Sequence, residues 1–366
     1  MTIINRPNQR LETLTFLEID HRNRGTFSHM IRIYSKLRKL LYSRNISTTT
    51  LPIHSHTLSN NLTSTTHTRR HLTSVSTQPA LISDSELPTT VVNSPDTIAR
   101  ALEILYDVNK NSTPAKTRYH ACDTEVCDID LKRVGPVGNG KVTCASIYSG
   151  PDVDFGAGPG GVLWIDNLDE ADSTLDGFKD FFVDEDQKKV WHNYSFDRAV
   201  LYNHKIDCKG FGGDTMHMSR LWDSSLKSYS LESLTNDYLD KKFQKEAMKS
   251  IFGRPELKKD GTEGKKIGLA PIEELQRMPE TRNNFIKYSA LDAMATWQLH
   301  SVMETNLRAM KWAKGKSMMD FYQRYLVGFG EMLTDMERVV SFFVFLFLIQ
   351  KGILCLKHIC ISNFSS

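Results

Sequence analysis

Two neighbouring acids in this sequence could bind a divalent cation. If Asp123-Thr124-Glu125 lies in a β-strand, Asp123 and Glu125 project from one face, because successive side chains of a strand alternate. Neighbouring carboxylates repel each other, and a hard cation such as Mg²⁺, which prefers oxygen ligands, is an economical compensation. Taken alone, such a pair is more often a surface feature at a strand end than a metal site.

Two further motifs place acids at a helix start and within a helix. Asp197 ends the run Asn193-Tyr194-Ser195-Phe196-Asp197, where a short apolar strand gives way to a helix. Its position is explained equally well by a first-turn acid that complements the helix dipole. Asp292 follows Tyr288 by four residues in a long helical pattern, so phenol and carboxylate stack on one face. Asp is a poor helix former, which favours a functional reason for Asp292.

The elements that must position these motifs follow from hydrophobic periodicity and from stretches rich in Gly, Pro and Asp. Strands are predicted at 119–126, 142–148, 161–166 and 189–192. Helices are predicted at 95–109, 175–183, 196–203, 229–239 and 281–312. Three strands in series, followed by alternating helix and strand, indicate an α/β fold with a mixed sheet and helices packed on it.

Composition narrows the protein class. The chain has 366 residues, of which 40% are hydrophobic and 24% charged, as in ordinary globular proteins. The net charge of +3 is too small to identify a nucleic-acid partner. Six cysteines form no C-x-x-C pair and have no histidines at zinc spacing, so neither a disulfide framework nor a zinc module is indicated.

The first part of the chain differs in composition from the rest. Residues 21–83 contain no Asp or Glu but nine Arg and Lys among many Ser and Thr, which is typical of an organellar transit peptide. A basic amphipathic helix is predicted near 30–41. The alternative is a disordered basic tail, and Met30 is an alternative start. The pattern does not separate chloroplast from mitochondrion.

The region 241–271 carries nine Lys and Arg. It is either a solvated surface insertion or a loop that contacts phosphates.

The order of the three acidic motifs matches a known pattern. D-x-E on a first strand, N-x-x-x-D after a later strand and Y-x-x-x-D on a final helix resemble the tyrosine branch of the DEDD exonuclease superfamily, over residues 119–312. The runs Gly-Asp-Thr-Met at 213–216 and Tyr-Ser-Leu-Glu-Ser-Leu at 229–234 are similar to the proofreading domain of bacterial DNA polymerase I. With the leader and the Lys-rich region, the whole resembles family A DNA polymerases of plant organelles.

This resemblance implies a ribonuclease-H-like mixed sheet flanked by helices, and a 3′-5′ exonuclease that acts on single-stranded or frayed 3′ ends of DNA. It also implies two divalent ions, Mg²⁺ or Mn²⁺. Asp123 would bridge both ions, and Glu125 and Asp292 would complete the first. Asp197 would hold the second, partly through water.

The resemblance also implies roles for neighbouring residues. Tyr288 would position the attacking water and share its proton. Asn193 and Phe196 would contact the terminal nucleotides, and the backbone of Thr124 would meet the terminal sugar. Replication proteins are candidate partners, and a membrane partner is not expected.

The predicted organisation departs from a polymerase at its end. We expect a transit peptide and disordered leader over 1–93, a helical lead-in over 94–115, the exonuclease domain over 116–315, and a truncated helical linker with an apolar tail over 316–366. The apolar run 339–349 is shorter than the about 20 residues of a membrane helix and is followed by Lys351. An aberrant or alternatively spliced end is the favoured explanation, and a transmembrane anchor is the alternative. Polymerase activity is therefore not expected.

Two alternatives remain at this point. A ribonuclease D-type exoribonuclease shares all three motifs. A truncated chain could also bind DNA ends without catalysis, although all the motif acids are present.

Overall fold

The computed structural model describes residues 87–110, 117–131, 133–240, 247–257 and 262–350. All of them belong to the compact unit Arg70–Ser366. The predicted basic helix and most of the predicted leader lie outside the described residues.

A six-stranded mixed sheet forms the centre of the domain. Its strands are β1 (Thr89–Val92), β2 (Tyr119–Cys127), β3 (Lys141–Tyr148), β4 (Val162–Asp166), β5 (Lys188–Trp191) and β6 (Phe211–Asp214). They lie in the order β1-β4-β3-β2-β5-β6, with β3 antiparallel to both neighbours and the other pairs parallel. This confirms the predicted α/β class, and strands β2 to β6 have the order expected of a ribonuclease-H-like sheet.

Helices cover both faces of this sheet. They are α1 (Pro95–Lys110), α2 (Lys179–Val183), α3 (Tyr194–Asn203), α4 (Thr215–Trp222), α5 (Leu231–Tyr238), α6 (Met248–Phe252), α7 (Ile272–Arg277), α8 (Pro279–Ala309), α9 (Met318–Phe321) and α10 (Val327–Gln350). Because the sheet is covered on both sides, all five residues of the inner strand β4 are buried.

The predicted strands and the long helices are confirmed within a few residues. The predicted helix at 175–183 is instead a 3₁₀ segment, Thr174–Phe178, that continues into α2. Two strands of the sheet were not predicted. Strand β1 lies in the segment assigned to the leader, and the sequence Phe-Gly-Gly-Asp of β6 is typical of a turn. Gly212 suits β6 because a Cβ there would lie 3.0 Å from the ring of Tyr119.

The segment after α8 packs on the domain. Met319 and Tyr322 are fully buried, and Arg338 of α10 forms an ion pair of 2.8 Å with Asp207. Asp335 of α10 also accepts from Arg198 of α3 at 3.0 Å. The start of the segment predicted as a linker is therefore part of the folded domain.

No helix within the described ranges is both long and apolar enough to cross a membrane. Residues 351–366, the end of the predicted apolar tail, lie outside those ranges.

Candidate functional site

Three of the predicted acids converge between the sheet and the longest helix. Asp123 and Glu125 project from the same face of β2, and Asp292 lies on α8, which crosses β2 and β3. One carboxylate oxygen of each lies within 4.8 Å of the others. Asp292 is 6% exposed, whereas Asp123 and Glu125 are half-buried. A shift in register between Glu125 and Val126 distorts β2 beside the acids, as bulges often do next to active sites.

Side chains of the sheet hold α8 in this position. The indole Nε1 of Trp164, on β4, donates to Ser289 Oγ at 2.8 Å, and both residues are buried. Ser289 in turn donates to the carbonyl of Phe285 at 2.9 Å. Ser289 precedes Asp292 by less than one helical turn. The hydrogen bond between Trp164 and Ser289 therefore fixes the position of Asp292 relative to the sheet.

Tyr288 lies one turn before Asp292, as predicted. It is half-buried, and its ring meets the ring of Phe252 edge to face, with centroids 6.1 Å apart. Phe252 is 5% exposed and comes from α6, inside the Lys-rich region. That region therefore contains a segment that packs against the candidate site, in addition to the exposed hairpin of β7 (Arg254–Leu257) and β8 (Glu263–Gly268).

Asp197 is attached to β2 by a hydrogen bond to Thr124. Thr124 points away from Asp123 and Glu125, and its hydroxyl donates to Asp197 Oδ1 at 2.7 Å. Asp197 is 4% exposed, in the first turn of α3. Among the described residues, Asp197 does not belong to the cluster formed by the other three acids. Four acids were predicted to converge, and the structure brings three of them together. The contribution of Asp197 stays a prediction.

Burial dominates the acidity of Asp197. The pKa of this carboxyl is raised from 3.8 to about 7, chiefly by burial and against the hydrogen bond from Thr124, which lowers it. The negative charge of Asp214 contributes to the increase. A buried carboxylate with a raised pKa is typical of a site whose positive charge comes from a bound group.

Asn193 and Phe196 lie at the start of α3. Asn193 precedes the helix in a left-handed conformation, with φ of 73° and ψ of 52°. Phe196 is half-buried and packs against the main hydrophobic core. Asp214, which closes β6, accepts hydrogen bonds from the N–H groups of Asn193 at 3.1 Å and Tyr194 at 2.9 Å. The sequence run that contains Asp214 is part of the family resemblance, but no role was predicted for Asp214 itself.

The donor set of the cluster fits a hard divalent cation. Three carboxylates supply only oxygen ligands, which Mg²⁺ and Mn²⁺ prefer, and their spacing allows them to share an ion. Neighbouring carboxylates also require a positive charge for all of them to ionise together.

A model of the family "3′-5′ exonuclease", of the DNA polymerase A type, matches residues 97–308 of the chain. This span includes all the acids described above.

Among curated proteins, the chain is similar to DNA polymerase I A, chloroplastic/mitochondrial, of Arabidopsis thaliana, with 45% identity over 242 residues. It is also similar to DNA polymerase I B, mitochondrial, of Oryza sativa subsp. japonica, with 45% identity over 244 residues. The matches cover 61% and 62% of this chain but 23% of each relative. The chain thus spans about a quarter of the length of these relatives. Their names agree with the organellar location expected from the leader.

Among solved structures, the chain is similar to the ribonuclease D–GMP complex of Trypanosoma brucei, with a TM-score of 0.40 and 15% identity, over 65% of this chain and 71% of that one.

Proposed function

This chain belongs to the 3′-5′ exonuclease family of the DNA polymerase A type, and on that premise we propose that it removes nucleotides from the 3′ ends of DNA. The observation that carries the proposal is the convergence of Asp123, Glu125 and Asp292, whose oxygens lie within 4.8 Å of one another. The proposed setting is DNA replication or repair in a chloroplast or mitochondrion, in line with the names of the relatives.

The acids would divide two divalent ions, Mg²⁺ or Mn²⁺, between them. Asp123 would contact both ions, Glu125 and Asp292 would complete the first, and Asp197 would hold the second, partly through water. Bound in this way, the ions would supply the positive charge that stabilises the attacking and leaving oxygens of phosphodiester hydrolysis. Thr124 would support the arrangement, because its hydroxyl orients Asp197.

Tyr288 would orient the attacking water and share its proton. It lies one turn from Asp292 on the same face of α8, and the contact with Phe252 restricts its ring. A phenol held near reacting oxygens can donate or accept a hydrogen bond as the proton moves.

The substrate would be a single-stranded or frayed 3′ end. Asn193 and Phe196, at the start of α3, would contact the terminal nucleotides, and the backbone of Thr124 would meet the terminal sugar. Selection would then depend on how readily an end frays, without any reading of base edges, as in other proteins that bind single strands by stacking and phosphate contacts. Replication proteins that present such ends are the proposed partners.

The direct test is nucleotide release from labelled single-stranded DNA with Mg²⁺. We expect release by the wild-type protein and a loss of at least about 10³-fold for Asp123→Ala and Asp292→Ala, since each removes a ligand of the ions. Asp107→Ala, an exposed acid on α1, is the control and should retain wild-type activity. Equal activity of the wild type and both site variants would place hydrolysis elsewhere.

The same assay separates the alternatives. Faster release from RNA than from DNA of the same sequence would favour the ribonuclease D-type function. Binding of 3′ ends without any release, in Mg²⁺ or Mn²⁺, would favour a non-catalytic binding product.

A further inference from the structure

Asp214 is a fully buried acid that the proposed reaction does not use directly. It ends β6 and is 0% exposed. Its carboxylate caps α4, because Oδ1 accepts from the backbone N–H groups of Met216 at 2.8 Å and His217 at 3.4 Å. Such a cap needs only one acceptor oxygen.

The same carboxylate reaches across to the turn that leads into α3. Oδ1 also accepts from the N–H of Asn193 at 3.1 Å, and Oδ2 accepts from the N–H of Tyr194 at 2.9 Å. One buried side chain thus binds the starts of two helices, of which α3 carries Asp197. Tyr194 precedes Asp197 by three residues, which is less than one turn of helix.

The charge state of Asp214 supports this role. Burial raises the pKa of its carboxyl, but the nearby imidazoles of His217 and His192 and the N–H groups of Asn193 and Tyr194 outweigh burial, so the pKa lies below its usual value. An ionised carboxylate is the form that accepts several N–H bonds at once.

The turn needs such support because of its backbone. Asn193 adopts a left-handed conformation with φ of 73°, which residues other than glycine adopt uncommonly, Asn more readily than most. The bonds from Asn193 and Tyr194 to Asp214 stabilise that conformation. Asp214 itself is held by its register with Trp191 on β5 and by its N–H, which donates to the hydroxyl of Tyr322 at 2.7 Å.

We propose that Asp214 is a positioning residue, which fixes Asp197 relative to Asp123 by holding the start of α3 in place. The inference rests on the proposed function, since it concerns the acid assigned to the second ion. Tyr322, which lies beyond α9, is the outer support of the same arrangement. Asp214 therefore acts on ion binding and on chemistry through Asp197.

The test is a double-mutant cycle between Asp214→Asn and Asp197→Ala, measured by Mn²⁺ binding in calorimetry and by nucleotide release. Asp214→Asn should weaken the weaker of the two Mn²⁺ binding steps by about 10- to 100-fold, because residues behind a ligand change metal affinity by that much. Asp197→Ala, which removes the proposed ligand, should weaken the same step by at least as much, and both variants should leave the tighter step unchanged. Release should fall about 100-fold for Asp214→Asn, as expected for a misplaced catalytic group. In the Asp197→Ala background, Asp214→Asn should add less than about 2-fold to either loss.

The control for a general loss of stability is Gln187→Ala. Gln187 is a buried polar residue, 4% exposed, that lies just before β5 and accepts from Asn109 at 2.6 Å. Gln187→Ala should lower the melting temperature as Asp214→Asn does and leave Mn²⁺ binding unchanged. If Asp214→Asn fails to fold, Tyr322→Phe serves in its place, and it should weaken the same Mn²⁺ step by about 3- to 10-fold through the lost bond to the Asp214 N–H.

Two outcomes would overturn the inference. One is wild-type Mn²⁺ binding by folded Asp214→Asn, or by Tyr322→Phe where Asp214→Asn does not fold. The other is an equal loss from Asp214→Asn with and without Asp197, which would show a general structural role. The Mn²⁺ measurement tests the inference even if the wild-type protein releases no nucleotides. An absence of nucleotide release would count against the proposed function alone.

Discussion

In the metal-free protein, replacement of Asp197 by Asn should increase stability at neutral and alkaline pH, although it removes a proposed ligand. Asp197 is 4% exposed and accepts the hydroxyl of Thr124. Asn has the same shape, and its amide oxygen can accept the same hydrogen bond, but it has no charge to bury. The substitution therefore isolates the cost of a buried negative charge.

The magnitude follows from the pKa of Asp197, about 7 in the folded protein against an ordinary 3.8. A carboxyl with a raised pKa binds its proton more tightly when folded, so stability from this group is present below about pH 4 and is lost as pH rises towards 7. Each unit corresponds to about 1.4 kcal/mol, so about three units give at most about 4 kcal/mol. Relaxation and water entry reduce such costs, and we expect roughly 2–4 kcal/mol.

The assay is urea unfolding in EDTA at pH 4 and pH 8. Wild type and Asp197→Asn should have similar free energies of unfolding at pH 4, and the variant should be more stable at pH 8 by the amount above. Asp107→Asn, which removes an exposed charge, should differ from wild type by less than about 0.5 kcal/mol at both values. The reasoning is refuted if the difference between Asp197→Asn and wild type is the same at both pH values.

Three further predictions concern the supports of the site. Thr124→Val should reduce nucleotide release by about 10- to 100-fold through the lost hydrogen bond to Asp197, whereas Thr124→Ser, which keeps the hydroxyl, should stay within about 3-fold of wild type. Tyr288→Phe should keep the melting temperature and Mn²⁺ binding but slow single-turnover release by about 100-fold or more, and unchanged kinetics would remove the phenol from the mechanism. Trp164→Phe should lower the free energy of unfolding by about 1–3 kcal/mol, because the indole N–H bond to Ser289 is lost, and urea unfolding without such a loss would contradict the proposed anchoring of α8.

The sequence alone determined the elements whose pattern is local. The strands from β2 to β5 and helices α1, α3, α5 and α8 were predicted from periodicity and are confirmed within a few residues. The same local geometry placed Asp123 and Glu125 on one face of a strand and Tyr288 one turn before Asp292. Strand β6 was missed because two glycines in four residues indicate a turn, whereas its pairing with β5 and the close approach of the Tyr119 ring to Gly212 are contacts between distant residues.

Only the tertiary structure decided which of these side chains meet. The pairing of β2 with β3 and the packing of α8 across them bring Asp292 close to Asp123 and Glu125. Thr124, which points away from these acids, donates a hydrogen bond to Asp197. Such contacts join residues far apart in the chain, so they depend on the burial of whole elements against one another. Periodicity sets the direction in which a side chain points from its own element, but it carries no information about the element that lies opposite.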